Sequence, residues 1–201
     1  MDIITFFPAA GASSRMRGAD KLARRIDGVP LLRRQVGRAR EAGGPVWVSL
    51  PAADHPRAAL LDGLDVRVLI VEDAREGMAA SLRALARSAP EGARAMIALP
   101  DMPDIETGDF AALRAASEAA PEAIIRATSD AGAPGHPVVL PADLVPRLAD
   151  LTGDGGARSL LKAEAARVRP LPLAGDRALV DLDTPEAWAS WLAGRPGARP
   201  A

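Results

Sequence analysis

The chain predicts an α/β protein with a mostly parallel central sheet covered by helices on both faces. Three observations carry this. Apolar strand-length runs alternate with segments of helical period, the runs empty into loops of small or acidic residues, and the 201 residues suffice for one substantial core. The first strand is Ile3-Ile4-Thr5-Phe6-Phe7. Pro30 to Ala42 reads as a helix with proline in its first turn and Gly43-Gly44 ending it. Strands follow at Val46 to Leu50, Val66 to Val71 and Ala95 to Leu99, with helical segments at 55–62, 78–89 and 108–119, the last capped by Thr107. In the second half the reading is strand at Ala123 to Thr128, a glycine- and proline-rich loop from Ser129 to Pro137, and a short strand at Val138 to Leu140. Helices near 141–149 and 156–165, strands at Val168 to Leu173 and Ala178 to Leu182, and a helix from Pro185 complete the chain. One domain over 1–193 is expected, with 194–201 a flexible tail.

Composition narrows the function. The 25 Lys+Arg nearly balance the 26 Asp+Glu, for a net charge of −1, so binding to nucleic acid through bulk charge is not expected. The lack of cysteine removes disulfides, thiolate metal sites and thiol nucleophiles. Two distant histidines, His55 and His136, do not make a histidine zinc site. Neither a signal peptide nor a membrane span is expected, which points to the cytoplasm. Lysine occurs only at Lys21 and Lys162 in an arginine-rich chain, which draws attention to Lys21.

The most informative stretch follows the first strand: Ala9-Ala10-Gly11-Ala12-Ser13-Ser14-Arg15-Met16-Arg17-Gly18-Ala19-Asp20-Lys21. Small side chains let backbone N–H groups approach an anion, and Arg15 and Lys21 bring positive charge to neutralise a polyphosphate. The stretch has neither common phosphate-loop spacing, so a flexible basic turn fits it equally well on spacing alone. Leu99-Pro100-Asp101-Met102-Pro103-Asp104 places Asp101 at the end of a central strand, where a carboxylate can hold magnesium against phosphates or simply cap a turn. Asp181-Leu182-Asp183 puts two aspartates on one face of an extended segment, while Asp183 or Thr184 can cap the helix from Pro185.

Gly77, Met78 and Ser81 open a helix that can face a base or ribose. Gly153-Asp154-Gly155-Gly156-Ala157-Arg158 reads as a second anion nest or a solvated glycine turn, and Gly135-His136-Pro137 can present His136 to a ligand. Asp54-His55-Pro56 reads as a helix-start turn.

In this order these blocks, with Gly28-Val29-Pro30-Leu31-Leu32 between them, resemble the MobA/MocA-like nucleotidyltransferases over nearly the whole chain. The branch most similar is the one containing molybdenum cofactor cytidylyltransferase. The resemblance implies a Rossmann-like three-layer nucleotidyltransferase fold and magnesium-dependent transfer of a nucleotidyl group. Ala9-Ala10-Gly11 and the aspartate form of Asp181-x-Asp183 match the branch that uses CTP.

The implied acceptor is the terminal phosphate of molybdopterin or molybdenum cofactor, with a recipient molybdoenzyme as a further partner. Arg15, Lys21 and Asp101 are the implied catalytic residues. Ala9, Ala10, Gly11, Ala12, Ser13, Gly77, Met78 and Ser81 would bind nucleotide, His136, Asp154 and Arg158 the acceptor, and Asp101, Asp181 and Asp183 the metal. Transfer to a sugar or polyol phosphate and a non-catalytic cofactor carrier are the competing readings. Two departures from the pattern, Pro8 before the loop and Arg17 between Met16 and Gly18, concern the shape of the loop.

Overall fold

The computed structural model describes residues 2–152 and 156–194; Asp154 and the tail beyond 194 lie outside them. Its centre is a seven-stranded sheet of β1 (Ile3–Pro8), β4 (Val46–Leu50), β5 (Arg67–Ile70), β6 (Arg94–Ile97), β7 (Ile124–Thr128), β8 (Pro134–Leu140) and β9 (Val168–Pro172). β2 (Arg25–Ile26) and β3 (Val29–Pro30) form a separate two-stranded ribbon. The sheet order is β5-β4-β1-β6-β8-β7-β9, and only β8 runs antiparallel to its neighbours. The chain leaves β1 toward β4 on one side and later toward β6 on the other. The two loops after β1 and β6 therefore part at this switch point and leave a crevice above the strand ends.

Alternation along β1 divides the core. Ile3 and Phe7 face α1 (Leu31–Glu41) and α3 (Thr107–Ala119), with Phe7 edge-on to Phe110 at 6.1 Å between ring centroids. Ile4 and Phe6 face α2 (Met78–Ser88) and α4 (Arg158–Ala163). Each of these buried side chains contributes about 1.5–3 kcal/mol, so the three layers are fixed by a period of two in the strands against 3.6 in the helices. Pro8 fits because of the same alternation. Thr5 donates to Pro45 on the β4 side, whereas Phe6 accepts from Ala98 on the β6 side. Pro8 therefore falls on the β6 side, beyond the end of β6 at Ile97, where no strand partner is owed an N–H.

Several sequence expectations change. The segment at 55–62 closes only a 3-10 turn at Ala58–Leu61, between Pro56 and Gly63. The segment at 141–149 likewise becomes a 3-10 turn at Pro146–Asp150, since Pro146 falls inside the expected helix, where it has no N–H to donate to the carbonyl four residues back. The helix at 156–165 is α4 followed by a 3-10 turn at Ala165–Arg167. The loop at 129–137 is shorter than expected: Ser129 N–H reaches the Ala133 carbonyl and closes a hairpin, so β8 already begins at Pro134. Ala178 to Leu182 is not a strand; Leu179 turns back onto Asp176, and the bond from His136 N–H of β8 to the Ala178 carbonyl is not continued into a ladder. Glu106, not Thr107, caps α3, through a reciprocal box with Asp109. Among the described residues no helix is long and apolar enough to cross a membrane.

Candidate active site

A cavity of about 760 Å³ opens above the carboxyl ends of β1, β6 and β7. One wall is the segment after β1. Its path is imposed by Arg57, which is 3% exposed and reaches in from the β4–β5 connection. Arg57 donates to the carbonyls of Ala9 (2.5 Å) and Gly11 (2.7 Å), to Ser13 Oγ (3.0 Å), and to both carboxylate oxygens of Asp20 (2.7 and 2.8 Å). Asp20 also accepts from the Leu22 N–H. Burial alone would raise its pKa, but Arg57, with help from Leu22 and Ser13, holds the carboxyl below its ordinary 3.8. This clamp ties the start of the loop at Ala9 and Gly11 to Asp20 at its end; within it Ser13 and Arg17 sit in left-handed backbone (φ 52° and 53°), which non-glycine residues seldom adopt.

The clamp delivers Lys21 to the centre of the site. Its ammonium donates to Asp101 Oδ2 at 2.5 Å and to Asp183 Oδ1, and Arg15 holds the other Asp183 oxygen at 2.8 Å. Burial lowers the Lys21 pKa, but the two carboxylates outweigh it and hold the ammonium above its ordinary 10.5. For Asp101 the balance goes the other way. Burial, reinforced by Asp183 and Asp181, raises its carboxyl more than Lys21 lowers it. Asp183 is more open; burial raises it, but Lys21 and Arg15 carry it below the usual value. Burial and Asp183 together raise Asp181.

Asp181 and Asp183 are brought here without a strand. Gly135 packs so closely on the Ala178 carbonyl that a Cβ would overlap it, and His136 N–H bonds the same oxygen at 3.0 Å. Leu182 N–H then donates to the Asp101 carbonyl at 3.0 Å, while the Leu182 side chain is buried with Met16, Ile26, Leu31 and Trp188. Trp188 Nε1–H bonds the Leu182 carbonyl, and Thr184 caps α5 (Pro185–Ala193) by accepting from Ala187 N–H. Leu182 thus points into a small core, and its two acidic neighbours are left facing the cavity.

The opposite face of the cleft comes from α2, β7, β8 and α4. Gly77, at φ 78°, turns the chain into α2, whose first turn has no capping side chain and opens on the cavity beside Met78 and Ser81. Ser49 Oγ accepts from Ala9 N–H and donates to Ser81 Oγ at 3.0 Å, tying this helix to the loop. Arg126, His136, Arg158 and Lys162 line the far wall. Burial and the nearby Arg126 charge press His136 down to a pKa of about 4, so its imidazole is neutral at pH 7.

The structure therefore gathers Ala9, Gly11, Ser13, Lys21, Gly77, Met78, Ser81, Asp101, His136, Arg158, Asp181 and Asp183 around one cavity. Arg15 joins through Asp183. Ala10 packs instead into the apolar cluster beneath α2, and Ala12 is exposed. Among the described residues, no three acidic or histidine side chains close up as a ready-made metal cage; Asp101 and Asp183 converge on Lys21. Sequence reading missed Arg57, Asp20, Arg126 and Lys162. Nothing local distinguishes Arg57 from the chain's many surface arginines; only its insertion under the loop does.

The model for MobA-like NTP transferase domains matches residues 7–168. Among solved structures, Rv0371c from Mycobacterium tuberculosis H37Rv is 27% identical, with 96% of this chain and 99% of that chain covered at a TM-score of 0.81. The same protein solved as a complex with manganese is 26% identical, with coverages of 97% and 100% and a TM-score of 0.78. A Methanothermobacter nucleotidyl transferase, Mth528, shares the fold at 20% identity, with 94% and 95% covered and a TM-score of 0.79. No curated protein matches the chain. With the family model spanning most of its length, this chain belongs to the MobA-like NTP transferase domain family and is a nucleotidyltransferase of Rossmann-like fold.

Proposed function

We propose that the chain is a cytoplasmic, single-domain cytidylyltransferase that moves CMP from CTP to the terminal phosphate of molybdopterin or molybdenum cofactor, with release of pyrophosphate. The observation that carries the reading is Lys21, held between Asp101 and Asp183 beside the Arg57-clamped loop. Lys21 and Arg15 would neutralise the β- and γ-phosphates and the departing pyrophosphate. Ala9, Gly11 and Ser13 would lie along the triphosphate, and Gly77, Met78 and Ser81 at the open end of α2 would take the ribose and base. Ala10, packed beneath the loop, would set how closely the backbone approaches the base, and Ala12 would bound the loop's outer side. An anionic phosphate nucleophile needs no protein base, so positioning and charge neutralisation carry the rate.

The acidic residues fit a magnesium ion. Asp101 Oδ1 is buried without a hydrogen-bond partner, and the carboxylates offer the hard oxygen donors that Mg²⁺ takes one or two at a time beside substrate phosphates. Asp101 and Asp183, with Asp181 adjacent, would hold it, and it would supply charge stabilisation at the α-phosphate.

Pairing each NTP with molybdopterin and with sugar or polyol phosphates, and following pyrophosphate, tests the reading. CTP with molybdopterin is expected to be the productive pair. Lys21→Ala and Asp101→Ala should each lose about 10²–10³ in rate while still melting cooperatively. Unchanged rates in both would overturn the site. Molybdopterin binding without pyrophosphate release would identify a carrier instead.

A further inference from the structure

The far wall of the cavity carries cations with no described carboxylate beside them. Alternation along β7 puts Arg126 on the same face as Ile124, the face covered by α2 and α4, and His136, at the register shift between β8 and β7, lines the same cavity. Because β8 runs antiparallel, its His136 end meets the Arg126 end of β7 at the same edge of the sheet as Asp101. Arg158 and Lys162, one turn apart on α4, face the same cavity. Arg126 spends its Nε–H on the Gly135 carbonyl at 3.2 Å, which orients the guanidinium and leaves its outer N–H groups available. Among the described residues none of the three cations has a carboxylate partner. Glu164, two residues beyond Lys162, is taken by Arg147 and Arg167. The acidic groups among the described lining residues, Asp101, Asp181 and Asp183, stand on the opposite wall, around Lys21.

We propose that Arg126, Arg158 and Lys162 form a second anion site, separate from the Lys21 loop, which takes the phosphate monoester of the acceptor. Three cations, one of them an oriented guanidinium, match a dianionic phosphate, which accepts several charge-assisted hydrogen bonds at once. A neutral alcohol would leave them unbalanced. Neutral His136 adds a ring that can donate or accept a hydrogen bond at the same edge without adding charge.

The placement suits in-line displacement and, for the identity of the donor, rests on the nucleotidyl-transfer reading. A phosphate oxygen on this wall would form a bond to the α-phosphorus. The bond from that phosphorus to the bridging oxygen would break, and pyrophosphate would leave with the electron pair toward Arg15 and Lys21. The acceptor phosphate is already ionised, so no proton has to move.

The test is titration of the full chain with inorganic phosphate at neutral pH, free of nucleotide and divalent cations, followed by phosphorus NMR line broadening. Saturable binding is expected. Arg126→Gln and Lys162→Gln should each weaken it about tenfold or more, whereas Lys21→Ala and the remote surface change Arg87→Gln should move it by less than about twofold. Melting curves check folding, and Arg126→Lys, which keeps the charge but loses the fork, should fall between wild type and Arg126→Gln. No saturable binding by the wild type, loss in Lys21→Ala with retention in Arg126→Gln, or an equal effect from Arg87→Gln would overturn the site. CTP turnover is followed separately. Intact phosphate binding without turnover supports the anion site and rejects the transfer reading.

Discussion

The two walls of the cleft are built on opposite electrostatic plans. On the β1 wall the site's charges have partners within the chain: Arg57 with Asp20, Lys21 with Asp101 and Asp183, Arg15 with Asp183. On the β7–α4 wall three cations face the cavity with no described carboxylate beside them. Internal pairing stabilises a loop path and holds groups in place before any ligand arrives, so that wall is preorganised. An unbalanced wall costs self-repulsion, visible where the Arg158 charge adds to burial in lowering Arg126. In the proposed site an anion arriving from solution relieves it. The comparison separates a wall made by folding from a wall completed by binding.

The hardest blow to the comparison should come through Arg57. Arg57→Met leaves Asp20 and the Ala9 and Gly11 carbonyls without their donor, and removing one partner of a buried pair costs about 3–5 kcal/mol. Denaturant unfolding should show that loss. It should also show a weaker acid dependence. Asp20 is depressed in the fold, so its stabilisation is full above the ordinary carboxylate value and is lost as pH falls below it. A variant as stable as wild type would mean that the loop is held by other contacts.

The far wall predicts an acid sensitivity of its own. His136 is held at about 4 against an ordinary 6.5, so the unfolded chain takes up a proton before the folded one does. Stability should therefore fall as pH drops from 6.5 toward 4 and level off below. His136→Gln should flatten that part of the profile. Proton NMR titration of the imidazole checks it directly, and an apparent value near 6.5 would show that burial beside Arg126 is weaker than the geometry implies.

The smallest effect lies at the rim of the first wall. Thr184→Ala removes the α5 cap beside Asp183 and should cost about 1 kcal/mol, read as a modest drop in melting temperature. If the same change also loosens metal or nucleotide binding, α5 positions Asp183 as well as packing behind it.

The first half of the fold was legible because β1, β4 and β6 are buried runs, β5 an apolar run at the sheet edge, and amphipathic helices separate them, so the period in the sequence is the period in space. The second half was less so. Asp181 and Asp183 are presented by a segment with no ladder, pinned by Gly135 and Asp101, both distant in sequence, and by Trp188 of the following helix. Propensity cannot register such anchors. Arg126 read as an ordinary strand residue, although its position on the covered face follows from alternation once β8 is known to pair with β7.

By itself, the sequence determined the three-layer α/β plan, the phosphate-friendly loop after β1 and the acidic motifs at 101 and 181–183, since each is a local matter of periodicity or residue type. Only the tertiary structure decided that Arg57 shapes that loop, that Lys21 joins two carboxylates 80 and 162 residues away in sequence, and that unbalanced cations from β7 and α4 share one wall. Charges act through space, and their balance is defined only once the chain has folded them together.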